Sequence, residues 1–364
     1  MSTTVPAAAL RPHPWLRRFT KFVVLSTLAL IFIGGLVTSH GAGLAVPDWP
    51  TTYGENMFTY PLEKWQGGIL YEHGHRLFAS FVGMLIIVLT FWQFVDKRSV
   101  VRGLGFVALA LVILQGVLGG VSVLMRLQWA TPEPIWFATL VLHGVLAQSF
   151  LALTVVLAYL QSKEYAARIG EPEAPADHAL APWAIAVAAL VSLQLIIAAA
   201  MRHRGAGLAL MDFPTSGGYL IPTFSDAMLA NVNEMRRAYA AQMGIDFMEV
   251  TMGQVLIHFA HRFMAFVITI AVATLAVKTL RRAGASRRLV RGVLLLAGFV
   301  VVQFCLGVAA FWMHKEPVVT SIHVVVGAAT LATSVLVVLR ALPVRARRQA
   351  VKSLRNAALD TAKA

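Results

Sequence analysis

The chain is written in long apolar runs broken by short polar punctuation. Eight runs, near residues 21–40, 69–95, 101–125, 135–160, 181–202, 250–278, 290–313 and 318–341, are each long enough to cross the hydrocarbon core of a bilayer as a helix, which takes roughly 20 residues. Two of the intervening polar stretches are long, 41–68 and 203–249, and the remainder are mostly short and basic. The pattern predicts an all-α polytopic membrane protein of eight transmembrane helices. The first run does not read as a cleavable signal peptide, because its apolar core is long, further spans follow it and no small-residue cleavage site stands out. Within the second long loop, FSDAMLANVNEMRRAYAAQM (224–243) is expected to form an amphipathic surface helix with Met228, Val232, Met235 and Tyr239 on one face.

Composition narrows the class. Of 364 residues, 58% are apolar and 13% charged, outside the range of soluble domains. The net charge of +14 does not point to nucleic acid, because the basic residues sit in short clusters between apolar runs, as they do on the cytoplasmic side of a membrane protein. Of the 31 Lys and Arg, 22 fall on one side of the expected membrane, seven on the other, and two, Arg76 and Arg262, lie inside helices. That bias places both termini in the cytoplasm and the two long loops outside, in a multi-pass protein of the cell's inner membrane. The single cysteine, Cys305, excludes an internal disulfide, a thiolate-held cluster and covalent haem attachment through a CxxCH motif. Any cofactor must be held by other side chains.

The chain also repeats itself. HGAGLAVPDWPTTYG (40–54) matches RGAGLALMDFPTSGG (204–218), EHGHR (72–76) matches HFAHR (258–262), LQGVLGGVSVLMR (114–126) matches VQFCLGVAAFWMH (302–314), and His143 in VLHGVLAQ matches His323 in SIHVVVGA. Order and approximate spacing are kept, with offsets of 164, 186, 188 and 180. An internal duplication of a four-helix unit in parallel orientation follows, since an even number of spans returns the second copy to the same topology. The expected organisation is a cytoplasmic segment 1–20, a first bundle 21–165, a linker 166–180 rich in Pro, Glu and Ala, a second bundle 181–341, and a basic tail 342–364. Asp48 and Asp212, each followed by an aromatic and a proline, are expected to shape the outer loops.

Four histidines fall at similar depth in this topology: His75, His143, His261 and His323. They lie on helices two, four, six and eight, which run parallel, so each half offers two imidazoles to something between its helices. Haem fits, being a flat apolar macrocycle whose iron accepts neutral imidazole from both sides. One turn beyond each histidine stand Ala79, Ala147, Ala265 and Gly327, which leave room for a ring. The alternatives are an intramembrane His that merely bonds a carbonyl, a zinc site with Glu72, and a proton pathway. Arg76 and Arg262 follow the ligand histidines and are candidates for haem propionate contacts or for snorkelling to solvent. Glu72 precedes His75 by three residues, which puts both on one helix face about 60° apart, whereas the matching residue of the second half is His258. The halves are therefore not chemically equivalent: a carboxylate beside a haem can exchange a proton or stabilise developing positive charge, and the half without one is better suited to storing and passing electrons. His73 points to another face and reads as a packing or interfacial residue.

GGLVTSHGAGLAVPDWP, the Glu-x-x-His-Arg block, the His-Arg of the sixth helix, the histidines of helices four and eight and the eight-helix duplication together resemble the haem A synthase family, over about residues 20–340. The resemblance implies oxidation of the C8 methyl of haem O, by successive hydroxylation, to the formyl of haem A used by cytochrome oxidase. It implies that His261 and His323 ligate a resident haem b, that His75 and His143 hold the substrate haem O, and that Glu72 is the catalytic acidic residue of that pocket. It further implies an electron donor of quinol or ferredoxin-like type and contact with membrane lipid, haem O synthase and oxidase assembly factors, and it is compatible with a homo-oligomer. Many bacterial members carry a cysteine pair in an outer loop and this chain has none, so a disulfide-linked step does not apply. Its first helix ends VTSHGAG where members often have Arg and Thr before the glycine. Two other readings use the same residues: a dihaem b-type cytochrome that passes electrons from quinol without modifying haem, and a transporter or sensor that binds no haem.

Overall fold

The computed structural model describes residues 13–95, 98–170, 174–244 and 246–344. Among them are eleven α-helices and no strand: α1 (Pro14–Ser39), α2 (Gly68–Trp92), α3 (Ser99–Leu127), α4 (Glu133–Leu160), α5 (Lys163–Gly170), α6 (Pro175–His178), α7 (Ala181–His203), α8 (Asp226–Met243), α9 (Met252–Arg281), α10 (Arg287–Trp312) and α11 (Pro317–Ala341). The eight predicted spans are all present, as α1 to α4, α7 and α9 to α11, each long and apolar enough to cross a membrane. The chain is a multi-pass membrane protein. Large apolar side chains on the outside of the bundle, among them Met84, Ile113, Ile270 and Val301, are exposed, as lipid contact requires.

The largest boundary difference is at α1, which starts at Pro14 rather than near residue 21. Arg17, Arg18 and Lys21 interrupt the apolar run but are good helix formers, and Pro14 suits a first helical turn, so the helix runs on past the apolar stretch. The linker expected at 166–180 is not plain coil either: it contains part of α5 and all of α6. Arg340 forms an ion pair with Glu164 (2.7 Å), and Asp177 accepts the Ser286 amide (2.8 Å), which ties this segment to the second bundle. Most of the basic tail 342–364 and of the segment 1–20 lies outside the described residues.

Each set of four long helices closes into a ring. In the first, α1 packs on α2, α2 on α3, α3 on α4 and α4 back on α1; in the second, α7 packs on α9, α9 on α10, α10 on α11 and α11 back on α7. The rings meet along a seam made by α1 with α11, α4 with α11 and α4 with α7. Small residues bring the backbones close there: a methyl group on Gly35 of α1 would lie 3.0 Å from the Ser321 side chain of α11.

The two ends of the bundle are packed differently. Buried apolar side chains concentrate toward the end away from the long loops, with Leu16, Val23, Leu85, Leu89, Val101 and Leu157 in the first ring and Leu180, Leu275, Leu289, Val293 and Val337 in the second. Toward the long-loop end that dense packing gives way to the histidines.

Candidate functional site

His75 of α2 and His143 of α4 stand on opposite corners of the first ring, and His261 of α9 and His323 of α11 on opposite corners of the second. Counted from the helix starts, the four lie about 9–15 Å in from the long-loop end at 1.5 Å per residue. All four are half-buried, in a part of the bundle where apolar side chains would otherwise close the gap. The ring centroids of His261 and His323 are 6.5 Å apart with planes inclined at 67°. Two imidazoles on opposite sides of one metal, each bonded at about 2 Å, give a spacing of about 6 to 7 Å. His75 and His143 occupy the corresponding corners of the first ring.

Nδ1 of His75, His143 and His323 is buried without a hydrogen-bond partner, an expense that native structures rarely tolerate without a purpose. Glycines form the walls: a methyl on Gly34 would sit 3.0 Å from the His75 ring, and methyls on Gly119 and Gly307 would each sit 3.3 Å from the rings of His143 and His323. Ala79, Ala147 and Ala265 are half-buried and Gly327 is buried. Among the described residues no group of three or more His, Cys, Asp or Glu could hold a metal ion, so a tetrahedral zinc shell lacks donors. Pairs of imidazoles suit a metal that brings its own equatorial ligands, and the residues present fit haem.

The loops over the two rings are anchored in the same way. Asp48 accepts the amides of Tyr53 (2.7 Å) and Gly54 (2.8 Å); Asp212 accepts those of Gly217 (2.8 Å) and Gly218 (2.9 Å). Burial works against the charge of both carboxylates, but these amides, with the hydroxyls of Thr51 and Thr215, outweigh it and hold each below the usual aspartate range. Asp48 and Asp212 shape the loops, in keeping with the role read from sequence. Arg76 donates to the carbonyls of Asp48 (2.7 Å), Thr51 (3.2 Å) and Val46 (3.1 Å), and Arg262 to those of Asp212 (2.6 Å), Thr215 (3.2 Å) and Leu210 (3.2 Å). Both arginines thus clamp a loop to its helix through backbone carbonyls.

One position differs. The Val46 amide donates to Oε2 of Glu72 (2.8 Å), whereas the Leu210 amide donates to Nδ1 of His258 (3.1 Å). Oε1 of Glu72 also pairs with Arg76 at 2.6 Å, with both side chains largely buried. Glu72 is therefore a fixed carboxylate one helical turn from His75, and each of its oxygens keeps a lone pair beyond these bonds. His73 is fully buried, with Thr52 Oγ1 3.0 Å from its Nδ1 and the rings of Tyr60 and Trp65 beside it.

Three glutamines escaped the sequence reading. Gln115 donates to the His143 carbonyl (3.1 Å), and the Gln303 amide lies 3.3 Å from Nε2 of His323. Their signal was present, since both occupy the same place in the matched blocks 114–126 and 302–314. Gln194 of α7 lies 3.1 Å from Nδ1 of His261 and donates to its carbonyl (3.0 Å). Nothing in the repeat marks it in advance, because it lies outside all the matched blocks.

The family model for cytochrome oxidase assembly protein (COX15-CtaA) matches residues 17–335. A haem A synthase of Halalkalibacterium halodurans is 25% identical over 321 residues, covering 86% of this chain and 93% of that protein. One of Sphingopyxis alaskensis is 25% identical over 355 residues, covering 90% and 92%. One of Exiguobacterium is 30% identical over 148 residues, covering 40% and 45%.

Proposed function

Because the chain belongs to the cytochrome oxidase assembly protein family, we propose that it is a haem A synthase, an enzyme that converts haem O to haem A by oxidising the C8 methyl to a formyl group. Its relatives of that name extend over nearly its whole length. Nothing in the comparison favours a haem-passive electron carrier.

The two rings divide the work. His75 and His143 hold the substrate haem O in the first ring, and His261 and His323 hold a resident haem b in the second. The resident haem supplies one-electron redox chemistry to the site. Glu72 Oε1 and Oε2, held in place by Arg76 and the Val46 amide, accept or return a proton at the substrate, while His258 holds the second loop on the same backbone anchor without adding a carboxylate. Arg76 and Arg262 close the loops over the two pockets, and any propionate contact they make uses what the loop carbonyls leave. The basic clusters orient both termini to the cytoplasm of the cell's inner membrane, so that both pockets lie toward its outer face.

The observation that carries the reading is the exchange of Glu72 for His258 between two otherwise matching pockets. Expression with a source of haem O, followed by extraction and mass measurement of the bound haems, tests it. Haem A together with haem b is the expected outcome; haem b alone in both rings would sink it.

A further inference from the structure

The second loop contains an element that the first lacks. Residues 40–67 hold only a short 3-10 turn, Leu62–Lys64, whereas α8 lies between α7 and α9, with Met228 and Val232 buried against the loop and against Val255 of α9. Beside α8 is a cavity of about 560 Å³, open on one side and lined by the loop, α8 and the end of α10, within the usual range for small-molecule sites of roughly 300–1,000 Å³. In the first ring the Trp49 indole lies directly against Gly120 of α3. At the matching place of the second ring the smaller Phe213 lines the cavity.

The walls include Phe213, Phe311, Trp312 and Met235, and three polar residues line it, Tyr239, His314 and Asp212, the last with its carboxylate already taken up by the Gly217 and Gly218 amides. The Tyr239 hydroxyl lies 2.8 Å from Nε2 of His314. His314 and Lys315 are consecutive non-glycine residues with φ of 52° and 63°, a backbone conformation that side chains other than glycine rarely adopt. Met235 of α8 is not sealed against the protein as an amphipathic face would place it: it is 36% exposed and lines the cavity. Trp312 is 67% exposed at the end of a membrane-spanning helix, so the cavity adjoins lipid. Arg262 stacks over both Phe213 (5.8 Å) and Phe311 (5.1 Å), and it is the residue after His261. Two of the cavity's walls are thus in contact with the residue that follows His261 on α9.

We propose that this cavity binds a membrane quinol and is where electrons enter the protein. A planar ring fits between aromatic and thioether walls, and its hydroxyl meets the imidazole and phenol. Oxidation breaks the two O–H bonds of the quinol. The two protons pass in turn to His314, which is exposed and releases them to water. The two electrons pass singly through the haem that the second ring would hold, the first going on to the ferric haem of the first ring and the second staying, so that one iron(III) in each ring becomes iron(II) for each quinol, and quinone leaves. The electron-transfer half rests on the reading that the second ring holds a resident haem; the binding half does not.

Full-length protein in lipid nanodiscs, irradiated with a photoreactive azidoquinone, is expected to be labelled in peptides covering 206–214, α8 and 311–315, in competition with unlabelled quinone. The same labelling in His261→Ala protein supports the site independently of haem. Stopped-flow reduction by a short-chain quinol is expected to slow at least tenfold in His314→Asn and in Met235→Trp, which fills the cavity, with reduction by dithionite and the oxidised spectrum unchanged. Label confined to other peptides, or quinol reduction at the wild-type rate in both variants, overturns the proposal. Haem-loaded protein without label would fail this proposal alone, whereas labelled wild-type protein without haem would fail the haem reading and leave the binding site standing.

Discussion

At Val46 the loop over the first ring gives its amide to a carboxylate, and at Leu210 the loop over the second gives its amide to an imidazole. Around that exchange the anchors match: an aspartate that gathers two amides, an arginine that spans three carbonyls, and an aromatic-proline step in the cis form at 49–50 and 213–214. A shared scaffold with one altered side chain separates what holds the loop from what acts on a ligand. Either residue type can cap the loop amide; only the carboxylate adds a negative charge and pairs with the arginine one turn away. The second ring differs again in having α8 and Gln194, which reach the cavity and His261 respectively.

The comparison can be broken most severely at the histidines. Replacing His261 or His323 by alanine is expected to abolish the visible spectrum of the resident haem, whereas His75→Ala or His143→Ala keeps that spectrum and abolishes haem A formation; an absorption spectrum and a haem extract of each variant decide. Next comes the altered position itself. Glu72→Gln should lower haem A formation by about 10²–10⁴-fold, the range for loss of a proton-transfer group, while His258→Gln leaves it near the wild-type level. Equal losses in both would show that the position matters only for holding loops.

A smaller effect is expected on stability. Arg76→Ala strands the Glu72 carboxylate among buried groups and should cost about 3–5 kcal/mol. Arg262→Ala removes hydrogen bonds to carbonyls and the stacking over Phe213 and Phe311 but strands no buried charge, and should cost about 1–3 kcal/mol. Unfolding of the two variants in the same detergent compares them, and a larger loss for Arg262→Ala would contradict the ion-pair argument. The smallest effect concerns acid. Because Asp48 and Asp212 have carboxyls held below their ordinary range, their contribution to loop stability is complete above about pH 4 and is lost as pH falls further, through the folded-state values. Protease cleavage within 46–55 and 210–219 should rise together below that pH and stay flat above it.

Much of this was legible in the chain. The eight helices follow from the length of apolar runs, and the depth of His75, His143, His261 and His323 follows from counting along them, because helix rise is constant. Glu72 stood out through the cost of burying a charge and its matched replacement by His258. Periodicity does not encode which non-sequential helices touch, and what was missed depends on that. Gln194 reaches His261 from a different helix, and Arg76 and Arg262 each reach three carbonyls of a loop remote in sequence. The start of α1 at Pro14 and the helices α5 and α6 inside the expected linker were hidden because hydropathy reports lipid contact rather than backbone conformation. Met235 shares a helical stripe with Met228 and Val232, yet it faces a cavity that only the assembled loop creates.

Arg202 carries a consequence for biogenesis. Its guanidinium, on α7, donates to the Gly35 carbonyl (2.7 Å) and the Ser39 hydroxyl (2.9 Å) of α1, across 167 residues of chain. At a synthesis rate of about 5–20 residues per second, the far end of the earliest helix waits about 8–30 seconds for this donor. Until then α1 rests against unfinished neighbours, and the nascent protein passes through an interval in which its earliest-made part depends on a segment not yet translated.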